Sequence, residues 1–345
     1  FAARHHGDSP LSRCIAISFL CGLLLAGNSF AADERAIVVG SKNFTEGVVL
    51  GELIRAMAAS TGATVEHRQA LGGTRLVFNA LVSGEIDIYA EYTGTLTHEI
   101  FAQSKPASNA ELQDLLAESG LVMSQPLGFR DNFALGMREP VAERLNIRRI
   151  SDLRAHPELV FRFGTEFTER GDGWPGLRLH YGLPQQDVLG VEHDLAYRGL
   201  AAGDVDLTDL YTTDAEIAYY SLRTLEDDLG YFPPYEAVLL YRAELAQERP
   251  EVFAAILGMQ GLIDEAQMIA MNSRVKLDGV QETVVAADFL SENLGIEVVA
   301  KSSTRMERFW RYTRQHIALV AISLFAAILV AVPLGIAAAR WRRLG

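Results

Sequence analysis

The sequence predicts an α/β protein of two lobes, the second inserted into the first, with two crossings of the chain forming a hinge between them. The first observation behind this is a repeat. Gly84-Glu-Ile-Asp-Ile-Tyr-Ala-Glu-Tyr-Thr-Gly-Thr95 is answered by Gly203-Asp-Val-Asp-Leu-Thr-Asp-Leu-Tyr-Thr212. Gly84 and Gly203, Asp87 and Asp206, Tyr92 and Tyr211, and Thr93 and Thr212 each stand 119 residues apart. The second is the order within each copy. An apolar run (76–81, 195–200) ends at a Gly suited to the left-handed residue after a helix, a short strand follows, and a Tyr-Thr turn supplies a Thr expected to cap the next helix. The third is a pair of stretches where the chain would leave and regain the first lobe: Phe129-Arg-Asp-Asn-Phe-Ala-Leu-Gly-Met137 and Tyr231-Phe-Pro-Pro-Tyr235. Pro-Pro fixes the backbone and holds Tyr235 at low entropic loss. In open α/β sheets ligands bind beyond the carboxyl ends of the strands, which puts Tyr92 and Tyr211 on facing walls of one cleft. The plain alternative is that each ring packs inside its own lobe.

In order along the chain, residues 37–41 read as a short buried strand, and Lys42-Asn-Phe-Thr-Glu46 leads into an apolar-periodic helix over 47–58. Asn43 followed three residues later by Glu46 has the capping pattern, and a Lys at a strand-to-helix junction is an anion-binding geometry. Ser60-Thr-Gly62 closes that helix, 63–67 is the next strand, and Gly72-Gly-Thr74 opens the first repeat copy. A helix from Thr95 to about residue 102 follows, then another over 110–118 stopped by Gly120. In the second lobe Ser151-Asp-Leu153 caps a short helix and 159–163 is a strand. Phe167-Thr-Glu-Arg-Gly-Asp-Gly-Trp-Pro-Gly176 is a shaped Gly-rich loop around Arg170 and Asp172, before a helix over 177–181. Residues 188–191 form the strand that feeds the second copy. The remainder is helical, ending with 280–293 and its stop Gly295.

Hydrophobic residues at 49% and charged residues at 22% of 345 describe a globular chain with ample core. A net charge of -13 argues against nucleic acid as a partner. Residues 1–31 read as a secretion signal: Arg13, an apolar run over 15–26, then Ser29-Phe-Ala31. Cleavage after Ala31 would remove both cysteines, Cys14 and Cys21. Bulky Phe19 and Leu20 make Cys21 a poor site for a lipid anchor. Residues 317–339 carry no charge and are long enough to cross a hydrocarbon core of about 30 Å. Trp310 and Trp341 flank them and Arg340, Arg342 and Arg343 follow, so a membrane helix is expected after a basic linker over 301–316. With an exported domain before it, this helix would run from outside to inside. A first residue Phe1 and an end at Gly345, just past the apolar run, give the expectation of a piece of a longer membrane protein. The eight histidines are scattered, with no metal-ligand spacing, phosphate loop or Gly-x-Ser-x-Gly elbow. No enzyme, metal or cofactor is expected.

Six stretches together carry a resemblance: Gly40-Ser-Lys-Asn-Phe-Thr-Glu46, Leu71-Gly-Gly-Thr74, the stretch over 84–95, Phe167-x-x-Arg-x-Asp-Gly173, Tyr211-x-Thr-Asp214 and Phe232-Pro-Pro-Tyr235. In this order they resemble the substrate-binding proteins of ABC importers for glycine betaine, carnitine, choline and proline. The resemblance implies a type II periplasmic-binding-protein fold, with lobe I from 32–128 and 236–300 and lobe II from 129–235. Residues 317–344, with Ile322-Ser-Leu and Val332-Pro-Leu-Gly-Ile336, similarly resemble the first membrane helix of the permease partner. A binding protein fused to the start of its permease is implied: a periplasmic, extracytoplasmic domain anchored in the inner (cytoplasmic) membrane, with permease and ATPase subunits as partners.

In that family the quaternary ammonium sits in a box of aromatic rings. A cation without N–H groups cannot be hydrogen-bonded, so ring faces must hold it, each worth about 0.5 to 2 kcal/mol. The implied box is Tyr92, Phe133, Tyr211 and Tyr235; Phe133 departs from the Tyr expected there. A betaine carboxylate would be met by Lys42, Thr95 and Arg170, with Asp172 orienting the arginine. An ordinary salt bridge is the alternative fate of Lys42 and Arg170. Thr74 stands where choline-only members carry an acid, which leans towards zwitterionic ligands, whereas Asp131, in place of an expected Asn, leans towards choline. The implied function is the substrate-binding component of an importer for quaternary-ammonium osmoprotectants. A ligand-sensing domain of a membrane receptor is the alternative.

Overall fold

The computed structural model describes residues 35–298 and 305–340. The expected signal segment with both cysteines, residues 301–304 of the expected linker, and Trp341 with the arginines after it lie outside the described residues.

Among the described residues, ten strands form two five-stranded sheets. The first lobe holds β1 (Ile37–Lys42), β2 (Val65–Gly72), β3 (Ile88–Tyr92) and β4 (Leu121–Met123). The second holds β5 (Phe133–Arg138), β6 (Phe161–Gly164), β7 (Val188–Val191), β8 (Leu207–Tyr211) and β9 (Leu222–Thr224). The chain then returns to the first lobe as β10 (Ala237–Arg242). The sheet orders are β2-β1-β3-β10-β4 and β7-β6-β8-β5-β9. In each, three strands run parallel and the strand that follows a crossing pairs antiparallel to the repeat strand, β10 on β3 and β5 on β8. The two lobes therefore share one topology.

The repeated Gly and Asp maintain that topology. Gly84 and Gly203 have φ of 77° and 90°, where an L side chain would be strained. Asp87 donates its N–H to the Val38 carbonyl at 2.7 Å and its carboxylate accepts the Val38 N–H at 2.8 Å. Asp206 does the same with Val160, at 2.9 Å in both directions. The repeated Thr residues depart from expectation, because neither caps a helix. The Thr93 hydroxyl accepts the N–H of Glu236 at 3.1 Å, and that of Thr212 accepts the N–H of Asn132 at 2.9 Å. Each staples the end of its strand to a crossing segment. The crossings also pair with one another, Asp131 N–H to the Tyr235 carbonyl at 3.0 Å and Ala237 N–H to the Phe129 carbonyl at 3.2 Å. This two-strand ribbon is the connection between the lobes.

Among the helices, α1 (Thr45–Ala59) is buried along most of its length, because Val49, Leu50, Leu53, Ile54 and Met57 leave little polar surface. It starts at Thr45, and Phe44 occupies the cap position without a side-chain cap. The expected Asn43 to Glu46 capping box is thus absent. Glu46 turns into the interior, where it has stronger donors than a helix N-terminus offers. The expected helix after Thr95 is a π-helical turn, Leu96–Ile100, and α2 (Thr74–Val82), α3 (His193–Ala202), α4 (Ala215–Tyr219), α5 (Glu265–Lys276) and α6 (Glu282–Leu294) complete the frame of the cleft. The last helix, α7 (Arg305–Arg340), is continuous, so residues 305–316 are helical. Within it His316–Ala338 has a mean hydropathy of 2.8 and none of it is buried against the rest of the chain. Its length and composition suffice to cross a membrane.

Candidate ligand-binding site

Between the lobes lies a cavity of about 220 Å³. β1 and β3 deliver Lys42, Phe44, Tyr92 and Thr95 to it from the first lobe. The second lobe contributes Phe133, Glu166, Phe167, Arg170, His193 and Tyr211, and the crossings add Asp131 and Tyr235. All four rings expected as a box line this one cavity. Tyr92 and Tyr211 end corresponding strands of the two sheets, and Phe44 lies between them, its ring centroid 6.4 Å from the first and 5.6 Å from the second. Phe133 lies 5.2 Å from Tyr211 and stands edge-on to Tyr235 at 5.4 Å. Two phenols are pinned by carboxylates: Tyr92 OH donates to Glu46 Oε1 at 2.6 Å, and Tyr235 OH to Asp172 Oδ2 at 2.8 Å. Burial, reinforced by these carboxylates, pushes both phenol pKa values up, so both rings stay neutral.

The cationic end of the cavity centres on Arg170. Asp172 grips its guanidinium with two bonds, from Nε at 2.8 Å and Nη2 at 2.6 Å. The outer edge faces Thr95 Oγ1 at 3.2 Å and Thr74 Oγ1 at 3.3 Å, and the guanidinium carbon lies 5.2 Å from the Phe133 centroid. Burial opposes this charge, but the Asp172 pairing outweighs it and holds the arginine protonated. Lys42 is buried and ion-paired with Glu91, its Nζ 5.0 Å from the Tyr92 centroid. Thr74 is not on the cavity wall. Its N–H and hydroxyl are held by Glu166 of the opposite lobe, at 2.6 and 3.1 Å. Gly73 makes this approach possible, since a Cβ there would stand 1.7 Å from Glu166 Oε1.

On the other flank Thr213 Oγ1 lies 2.5 Å from Glu46 Oε2 and 2.8 Å from Asp131 Oδ1. A hydroxyl has one proton to donate, so one of these two contacts requires a carboxyl proton. Glu46 already receives Tyr92 OH and, at 3.0 Å, Asn272 Nδ2. The proton therefore belongs on Asp131, where burial followed by the Glu46 and Asp214 charges raises the pKa well above the carboxylate range. Lys276 pairs with Asp194 across the same flank. With the Glu166 clasp on one side and these contacts on the other, the structure is a closed clamp.

From the sequence Glu46 reads only as a helix cap, and neither Phe44 nor Thr213 stands out, although all three lie inside the quoted motifs. Glu166 and Asn272 carry no such signal, and His193 is one of the scattered histidines. The His193 ring lies tilted against Tyr211, centroids 4.8 Å apart, between Asp209 at 3.5 Å and Asp214 at 3.2 Å. Burial disfavours its charge, but the two carboxylates outweigh that and raise its pKa well above the usual histidine value.

A family profile described as the substrate binding domain of ABC-type glycine betaine transport system matches residues 35–292. The glycine-betaine-binding protein of Pseudomonas aeruginosa is 33% identical over 298 residues, which cover 82% of this chain and 94% of that one. The ergothioneine transport permease/ergothioneine binding protein EgtU of Helicobacter pylori is 30% identical over 279 residues, 77% of this chain and 49% of that one. The chain thus spans about half the length of that relative. Among solved structures, a glycine betaine/carnitine/choline ABC transporter superposes with a TM-score of 0.61 at 24% identity, over 74% of this chain and 98% of the other. The apo form of YehZ from Escherichia coli gives 0.54 at 26% identity, over 75% and 98%.

Proposed function

The chain belongs to the family of substrate-binding domains of ABC-type glycine betaine transport systems and has the two-lobed type II periplasmic-binding-protein fold, and from that premise we propose that its cavity binds a quaternary-ammonium zwitterion of the glycine betaine or carnitine type. The trimethylammonium would rest against Tyr92, Phe133, Tyr211, Tyr235 and Phe44. The carboxylate would accept from Arg170 and the Thr95 hydroxyl. One observation carries this reading: rings from both lobes and a buried, bidentately held arginine line a single cavity. Arg170 favours a zwitterion over choline, since choline offers the guanidinium one neutral hydroxyl where a betaine offers a two-oxygen carboxylate. Because ligand groups would touch both lobes, binding favours closure. The family match favours transport over the sensing alternative.

The binding domain would sit on the extracytoplasmic side, tied to the membrane by His316–Ala338 and working with a permease and an ATPase. The apolar, unpartnered surface of that helix supports this, as does the H. pylori relative, whose name joins permease and binding protein. Calorimetry with glycine betaine, carnitine, proline betaine and choline tests the ligand class. Heat with the zwitterions and weaker or no heat with choline is expected; silence with all four at high protein concentration would count against the reading.

A further inference from the structure

Residues 32–300 carry 21 Lys and Arg against 42 Asp and Glu, a formal net charge of -21. The segment that joins them to the apolar span has the opposite sign: Lys301, Arg305, Arg308, Arg311 and Arg314 stand against the single acid Glu307. With the domain exported, this charge lies on the outer side of the membrane, although Lys and Arg in short segments favour the cytoplasmic side. Its placement calls for a local anionic partner. The first three turns of α7 are also two-faced. At about 3.6 residues per turn, positions 306, 309, 310 and 313 share a sector of about 100°, and positions 305, 308, 311 and 314 take the opposite half. Met306, Phe309 and Trp310 are 63%, 58% and 56% exposed, so the binding domain does not cover them. The Phe309 and Trp310 rings lie edge-on to each other, centroids 5.5 Å apart.

We propose that residues 305–316 bind the surface of an anionic phospholipid leaflet. This rests on the reading above that the span after them anchors the chain. A helix of 36 residues is about 54 Å long, more than the about 40 to 45 Å of a whole bilayer, so a span seated in the hydrocarbon leaves these turns at the headgroups and beyond them. Tilt lowers them towards the leaflet, and the two-faced pattern decides which side turns down. Met306, Phe309 and Trp310 enter the boundary between acyl chains and headgroups, where Trp is favoured. Positions 305 and 314 border the apolar sector, which brings an arginine from each edge to the level of the lipid phosphates, and a guanidinium can hold a phosphate with two parallel N–H bonds. A zwitterionic leaflet has no net charge to answer four arginines, whereas an anionic one does. The sector carries bulky side chains and none of the small residues with which membrane helices pack on one another, which favours lipid over a permease helix. The acidic domain is repelled by the same surface, so the contact stays confined to this segment.

Tryptophan quenching tests this on the full chain, reconstituted in vesicles of equal parts phosphatidylcholine and phosphatidylglycerol with bromine on the acyl chains of one lipid or of the other. The contribution of Trp310 is the quenching lost in Trp310→Phe. Brominated phosphatidylglycerol should quench it at least about twofold more than brominated phosphatidylcholine. That preference should disappear at about 1 M salt, where the Debye length falls to about 3 Å, and in the combined variant Arg305→Gln, Arg308→Gln, Arg311→Gln and Arg314→Gln. Equal quenching by the two lipids, or a preference that survives salt, overturns the inference. Trp310 left unquenched by both lipids overturns it too. If Trp341, read in the same way through Trp341→Phe, is then quenched, the membrane anchor stands without the surface contact, whereas extraction of the chain by alkaline carbonate would overturn the anchor as well.

Discussion

The shared proton on Asp131 makes ligand affinity depend on pH, and the structure sets both sign and size. Thr213 Oγ1 touches two carboxyl groups with one proton of its own, which places a second proton on Asp131. Asp131 also lines the ring cavity. The groups acting on it are the Glu46 and Asp214 carboxylates, both raising its pKa after burial, against the Thr213 hydroxyl and N–H, which lower it. A quaternary cation in that cavity favours the ionised carboxylate, so binding expels the proton. Affinity should then rise with pH across the window between the carboxyl's pKa in the complex and its raised pKa in the free protein. One proton displaced gives a tenfold change in Kd per pH unit, about 1.4 kcal/mol, with flat limbs on either side. Calorimetry with glycine betaine across about pH 5 to 8, in buffers of different ionisation enthalpy, reads the slope and the proton released. Asp131→Asn should remove both. A wild-type Kd independent of pH, or a slope surviving in Asp131→Asn, would refute the reasoning.

Three further outcomes follow from the same geometry. Tyr211→Ala removes a ring packed between Phe44, Phe133 and His193 and should weaken betaine binding by roughly 0.5 to 2 kcal/mol; an unchanged Kd would take that ring out of the box. Arg170→Met should weaken glycine betaine by about 1.5 to 3 kcal/mol, the worth of a charged hydrogen bond, while sparing choline. Equal losses for both would show that the arginine acts on folding and not on the carboxylate. Glu166→Ala frees Thr74 from the opposite lobe. Because the Glu166 side chain is 40% exposed, its clasp is worth only about 1 kcal/mol. The ligand-free variant should scatter X-rays as a more open particle, and identical scattering would remove Glu166 as a latch.

The sequence by itself determined the features that local chemistry decides. The 119-residue repeat predicted two lobes of one topology because Gly needs its left-handed φ and Asp its backbone donors wherever the unit recurs. Pro-Pro and the broken periodicity marked the crossings. Rings and basic residues within short motifs marked the cleft. Only the tertiary structure decided which partner each polar side chain takes, because those partners are distant in sequence. Thr74 meets Glu166 across 92 residues and Glu46 meets Asn272 across 226. Glu46 and the repeated threonines had plausible local roles as helix caps, yet folding offered them better donors and acceptors in the interior and at the hinge. A short polar side chain satisfies its hydrogen bonds with whatever packing brings near, and packing is a property of the closed lobes as a whole.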